Sequence, residues 1–245
     1  MSAPPGAPRG GPATIAIMGL DGTGKSTQAD AREGSERAAG RRAIRIHHAS
    51  TKVPILGGLK RRYHARLIAL LKRRGSHVEW TETEAASPSG GGTWIGRLMG
   101  TYLLTGSLLK SLWCKARYRH GTVILDRCLL DDVVKVRWRF GSMAWLGTWL
   151  IRSAPRPDLI VVLEGDPAVT FARKKAMNCT YAEYLGKGEI LAGVLQDAAV
   201  AGWRITRLSI DGQGPEAVHE RILQLRSERP GVDGVPQRFP HEADE

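Results

Sequence analysis

Gly19-Leu20-Asp21-Gly22-Thr23-Gly24-Lys25-Ser26-Thr27 follows directly on a short apolar run, residues 13–18 (Ala-Thr-Ile-Ala-Ile-Met). Within it, Gly-x-x-x-x-Gly-Lys-Ser occupies positions 19–26. Glycines at 19, 22 and 24 let the backbone curl with its N–H groups turned inward, a shape that accepts phosphate oxygens. A helix starting at about residue 24 would add the partial positive charge of its N-terminus. Lys25 is then placed for the β- and γ-phosphates of ATP, and the Ser26 hydroxyl for a magnesium ion. Asp21 has the wrong sign for a phosphate. It is expected to turn away, toward an acceptor hydroxyl, with a turn-stabilising aspartate as the other reading.

Outward from this stretch, short apolar runs alternate with helical patterns. Strands are expected at residues 13–18, 43–47, 122–125, 158–163 and 205–210. Helices are expected at 24–39, 55–73, 94–118, 129–151 (mostly helical), 167–175, 182–201 (broken by glycines) and 215–226. The first helix carries Gly34 and Ser35 in its middle and few large apolar residues. Such alternation gives a parallel sheet covered by helices on both faces, with chemistry at the carboxyl ends of the strands. Gly19 sits at one such end, and Asp126-Arg127 at another. Asp126 could hold Mg²⁺ there, and Arg127 could clamp an acceptor phosphate; a surface ion pair is the alternative. Arg173, Lys174 and Lys175 follow the fourth strand's helix, where a mobile segment could bring positive charge onto a transferring phosphoryl group.

The chain has 245 residues, enough for one sizeable domain, with 42% hydrophobic and 24% charged residues. Lys and Arg number 36 against 24 Asp and Glu, a net charge of +12 that suits a polyanionic ligand, a membrane surface or nucleic acid. Seven of these cations lie between positions 60 and 74 (Lys60, Arg61, Arg62, Arg66, Lys72, Arg73, Arg74) with no acid among them. That face could touch an anionic membrane or another polyanion, or be simply solvated. Cys114, Cys128 and Cys179 are widely spaced, without a Cys-x-x-Cys pair, which points to a reduced, cytoplasmic setting. Residues 1–12 and 229–245 read as disordered tails around a domain at 13–228, in which 52–92 is a divergent basic insertion and loop. No stretch approaches the roughly 18 consecutive apolar residues of a membrane span.

With these residues together, the sequence resembles the thymidylate kinase-like branch of the P-loop nucleotide kinases. The similarity lies in Gly19 to Gln28, in Asp126-Arg127, in Arg156-Pro157-Asp158-Leu159 through Asp166-Pro167 with Arg173-Lys174-Lys175, and in Ile210-Asp211 with Glu216 and Val218. The resemblance implies a P-loop NTPase fold with a five-stranded parallel sheet. It also implies ATP- and Mg²⁺-dependent phosphotransfer to a nucleoside monophosphate (dTMP to dTDP), and a homodimer. On this likeness Gly19, Leu20, Asp21, Gly22, Thr23, Gly24, Lys25, Ser26 and Thr27 bind ATP, and Lys25, Asp126, Arg127 and Arg173 are catalytic. Asp21 and Arg127 would bind the acceptor, and Ser26 and Asp126 the metal. Three departures stand out. Residues 87–93 keep the glycines of the family's Arg-Glu-Pro-Gly-Gly loop without its charges, Leu108-Leu109-Lys110-Ser111-Leu112-Trp113 stands where its Ala-Asp-Arg motif is expected, and the basic segment 52–80 is extra. A sugar, glycolipid head group or modified nucleotide as acceptor, or an ATP-regulated binding protein without catalysis, are the competing readings.

Overall fold

The computed structural model describes residues 13–47, 94–118, 121–141, 144–173 and 179–227. The expected tails, the basic segment 60–74, the loop 87–93, and Lys174 and Lys175 fall outside them.

Five strands form one parallel sheet: β1 (Ala13–Gly19), β2 (Ala43–His47), β3 (Thr122–Asp126), β4 (Leu159–Glu164) and β5 (Ile205–Ser209). Their order is β2-β3-β1-β4-β5. β1 is thus flanked by β3 and β4, with Ile17 beside Asp126 on one side and Gly19 beside Leu163 on the other. The direction of winding changes around β1, and the crevice at the carboxyl ends of β1 and β3 is where ligands bind in such sheets.

Strand alternation assigns the two faces. Ala16, Met18, Val123, Leu125, Ile160 and Val162 point into one core, and Ile15, Ile17, Ile124, Leu159, Val161 and Leu163 into the other. The first core is covered by α2 (Trp94–Arg117), α3 (Leu129–Phe140), α4 (Ala144–Ser153) and α6 (Tyr181–Val200). The second is covered by α1 (Lys25–Ala38) and α7 (Pro215–Ser227), while α5 (Pro167–Arg173) links β4 to α6. Each fully buried Ile or Leu in these layers contributes about 1.5–3 kcal/mol.

α1 docks although it lacks an apolar stripe. Its buried side chains are Gln28, Ala29, Arg32 and Glu36, with Lys25 at the start. Glu36, fully buried, accepts from Arg32 Nη2 at 2.5 Å, Arg41 Nε at 2.5 Å and Thr122 Oγ1 at 3.2 Å. Gln28 Nε2 donates to the Pro215 carbonyl at 2.8 Å, and Ser35 lies 2.7 Å from the His219 ring, so polar bonds join α1 to α7.

Residues 129–151 are mostly helical, as expected, and divide into two helices because Gly141 ends α3 at φ 39°. One expectation is corrected. The helix expected over 182–201 is continuous rather than broken. Two of its three glycines are points of close approach: a Cβ on Gly186 would lie 2.9 Å from the Trp138 ring, and one on Gly188 3.3 Å from Leu20, while Gly193 faces open space.

Candidate functional site

The loop between β1 and α1 depends on its glycines for different reasons. Gly19 (φ 141°) runs so close to β4 that a Cβ would meet the Leu163 carbonyl oxygen at 2.4 Å. At Gly22 (φ 90°) a Cβ would sit 2.0 Å from the carbonyl oxygen of Thr170 in α5. At Gly24 (φ 82°), the N-cap of α1, nothing lies within 4 Å, so glycine there serves the left-handed backbone alone. The result is an open-mouthed curl at the start of a helix, the geometry that cradles phosphate.

Lys25 is 5% exposed and folds back over this loop. Its Nζ donates to the Leu20 carbonyl at 2.6 Å and lies 3.5 Å from Asp21 Oδ1. Burial lowers its pKa, against the pull of Asp21 in the other direction. Such an ammonium is held in place yet incompletely compensated, which suits a polyphosphate arriving in the loop.

Asp126, at the end of β3, is fully buried. Its Oδ2 accepts from Ser26 Oγ at 3.0 Å and from the guanidinium of Arg45. His47 Nε2 is 3.9 Å from the same oxygen. The other oxygen, Oδ1, is buried with no hydrogen-bond partner among the described residues. An orphaned carboxylate oxygen beside a serine hydroxyl at a phosphate cradle fits a magnesium ion, bound directly or through its water. Among the described residues no group of three or more His, Cys, Asp or Glu side chains forms an all-protein metal site. The fit is therefore to an ion that keeps waters and leans on phosphate.

Arg127 follows at φ 74°, the one non-glycine with positive φ among the described residues. A left-handed residue here costs on the order of 1–2 kcal/mol. The turn lets its N–H donate to the Ile17 carbonyl at 3.2 Å and lets α3 begin at once, where Asp131 accepts from the Cys128 N–H at 3.1 Å. Burial raises the pKa of that carboxyl, while Arg127 and Lys25 oppose the shift. The guanidinium of Arg127 donates to Asp21 Oδ1 at 2.6 Å. The Asp21 carboxylate, expected to turn toward an acceptor hydroxyl or to stabilise the turn, is engaged here by Arg127 and, at 3.5 Å, by Lys25.

Gly19 to Thr27, Asp126 and Arg127 thus converge. Arg173 stands apart, exposed at the C-terminal end of α5. α5 itself touches the loop, through Thr170 against Gly22. At its other end the Asp166 carboxylate accepts from the Ala168 and Val169 N–H groups, and Asp211 accepts from the Asp166 N–H at 2.8 Å. The Ile-Asp pair after β5 therefore anchors α5 under the cradle.

Four residues at the site escaped sequence reasoning. Tyr184, 2% exposed, places its hydroxyl 2.9 Å from the Asp21 carbonyl and 2.8 Å from Thr170 Oγ1, joining the loop to α5 and α6. Lys110, 6% exposed on α2, donates to the His47 carbonyl at 2.8 Å. Burial lowers the pKa of His47, and Arg127, Arg45 and Lys110 add to the lowering against Asp126. Arg45 bridges Asp126 and Asp30. The available signal was in β2: Arg45 and His47 alternate with Ile44 and Ile46, which puts a cation and an imidazole on one face of an otherwise apolar strand.

No protein-family model matches the chain, and no curated protein matches its sequence. Solved structures do. A thymidylate kinase from Candida albicans superposes with a TM-score of 0.60 at 16% identity, over 89% of this chain and 92% of that one. Deoxyadenosine kinase from M. mycoides matches with TM-scores of 0.51, in a structure with the products dCMP and dCDP, and 0.53 with bound dATP. The identities there are 15% and 14%, over 88% of this chain and the whole of those. The chain has the fold of these P-loop kinases.

Proposed function

We propose that the protein is an ATP-dependent phosphotransferase whose acceptor is a nucleoside monophosphate of the dTMP type. The observation that carries this reading is the meeting of Ser26 with Asp126 beneath the cradle, with Lys25 above it and an unsatisfied Asp126 oxygen buried alongside. A turn that merely ended a strand would need neither a buried lysine nor a buried orphan carboxylate oxygen. The fold shared with thymidylate and deoxyadenosine kinases supports the same chemistry.

In this reading the loop N–H groups from Gly19 to Thr27 hold the β- and γ-phosphates, and Lys25 exchanges its bonds to Leu20 and Asp21 for phosphate oxygens. Ser26 and Asp126 hold the magnesium ion, which when bound neutralises charge on the phosphates. An acceptor phosphate oxygen forms a bond to the γ-phosphorus as the bond from that phosphorus to the β,γ-bridging oxygen breaks, giving ADP and a diphosphate acceptor. Because the transition state is loose, positioning and positive charge are the protein's contribution. Arg127 supplies a planar fork for the acceptor phosphate, and the Asp21 carboxylate accepts from the acceptor's sugar. Arg173 is assigned the same phosphoryl group from the end of α5.

An acceptor screen tests this. ADP release at fixed ATP and Mg²⁺ is measured for dTMP, dUMP, dCMP and dGMP, for the free nucleosides and for sugar phosphates. Turnover of nucleoside monophosphates supports the reading. Turnover of nucleosides or sugar phosphates alone changes the acceptor class, and ADP release with no acceptor tried removes the kinase assignment.

A further inference from the structure

Arg45 points its guanidinium at the carboxylate that the proposed function gives to magnesium. It stands at the middle of the edge strand β2, beside Ile124 in register, and so on the α1 face of the sheet. One terminal nitrogen bonds Asp126 Oδ2, and the other bonds Asp30 Oδ1 on α1. Its backbone N–H donates to Glu33 Oε1 at 3.0 Å, which ties the strand to the same helix. The side chain is 22% exposed, so solvent screens it poorly on the Asp126 side, where exposure is nil. A guanidinium cannot give up its proton in this setting, and its charge is permanent.

We propose that Arg45 is a built-in counter-ion of Asp126, which keeps the Ser26–Asp126 site from taking a free divalent cation until nucleotide phosphates are bound. The inference rests on the assignment of this site to magnesium made above. Asp126 Oδ2 already accepts from two donors, Ser26 and Arg45, and Oδ1 alone remains. A carboxylate bonded to a guanidinium presents little net charge. Magnesium dehydrates reluctantly and is bound through carboxylates together with phosphates rather than by a single neutralised group. Among the described residues no cluster of three acidic, His or Cys ligands makes up the deficit. Metal and nucleotide consequently enter as one unit, and the empty enzyme does not trap a bare ion against Lys25.

Mn²⁺ serves as the probe, with protein-retained metal measured by equilibrium dialysis for wild type, Arg45→Gln and Arg45→Lys, each with and without ADP. Without ADP, Arg45→Gln should retain Mn²⁺ about tenfold or more tightly than wild type, because a unit positive charge a few ångströms from the ion is gone. Arg45→Lys should behave as wild type, and ADP should narrow the gap between the Gln variant and the other two. Equal Mn²⁺ retention by wild type and Arg45→Gln, or weaker retention by the variant, overturns the proposal. If Arg45→Gln fails to fold, wild type alone decides, since equal retention with and without ADP contradicts a nucleotide-gated site. Failure of every form to bind ADP would count against the phosphotransferase reading instead, and the comparison of free Mn²⁺ would still judge Arg45.

Discussion

Ser26 Oγ donates to Asp126 Oδ2 across 3.0 Å, although the two residues are 100 positions apart in the chain. β1 and β3 are adjacent and in register; β3 ends on Asp126, and the loop that leaves β1 at Gly19 brings Ser26, in the first turn of α1, back over the same edge. Asp126→Asn should therefore act on the metal more than on the fold. Phosphotransfer is expected to fall about 10²-fold or more, with a shifted Mg²⁺ dependence. The stability cost should be about 1–2 kcal/mol, less than the 3–5 kcal/mol of a fully buried broken pair, because Arg45 keeps Asp30 and some solvent. A Mg²⁺ titration of activity beside a urea melt separates the two.

Lys25→Ala removes the one buried ammonium in the loop. Its present bonds, to the Leu20 carbonyl and Asp21, are local and replaceable, whereas its charge on the phosphates would act in the transition state. At least about a 10²-fold loss in turnover is expected. Near-wild-type turnover would end the assignment.

Tyr184→Phe deletes one hydroxyl and no packing volume. The Asp21 carbonyl would lose its donor and Thr170 a neighbour, at a cost of about 1–3 kcal/mol. Since the loop would no longer be pinned to α5 and α6, KM for ATP should rise more than kcat falls. A lowered urea midpoint with KM and kcat both unmoved would make Tyr184 part of the core and nothing more.

Gly22→Ala and Gly24→Ala should differ although both glycines have positive φ. At Gly24 the new methyl meets open space, and the expected cost is the backbone strain of about 1–2 kcal/mol. At Gly22 the same strain adds to a clash with the Thr170 carbonyl, a backbone atom that no rotamer change can move. Urea midpoints of the two variants should rank Gly22→Ala well below Gly24→Ala. Equal midpoints would mean that α5 yields easily.

The strands and the meeting of Gly19–Ser26 with Asp126 were legible because each depends on local pattern. An apolar run ends in glycine or aspartate, and parallel strands place those ends on one edge. What was illegible depends on pairing across the chain. Asp21 looked free because its partner Arg127 lies 106 residues on. α1 looked weak because sequence periodicity counts apolar residues, and this helix buries Arg32 and Glu36 instead. The glycines of α6 looked like breaks because the ring of Trp138, which fills the space over Gly186, comes from α3. Arg45 was overlooked because the alternation in β2 marks a cation on one face of the strand without naming the carboxylate it faces, which lies 81 residues on.

The seam between α1 and α7 should be acid-sensitive through His219. Its Nε2 lies 2.7 Å from Ser35 Oγ, and its Nδ1 is buried without a hydrogen-bond partner among the described residues. Burial lowers the pKa of the ring, and nearby Arg32 lowers it further against Glu220. The folded protein thus resists a proton that the unfolded chain accepts with a pKa of about 6.5. The unfolded state binds more protons as pH falls below that value, so stability is full above it and declines through the window down to the folded pKa. His219→Gln keeps a polar side chain opposite Ser35 and removes the titration. Plotted from pH 8 to pH 5, the urea midpoint of wild type minus that of the variant should be flat at the alkaline end. Below about pH 6.5 it should move in the variant's favour. Parallel curves, or a wild type that gains on the variant in acid, would show that His219 is not held neutral by the fold.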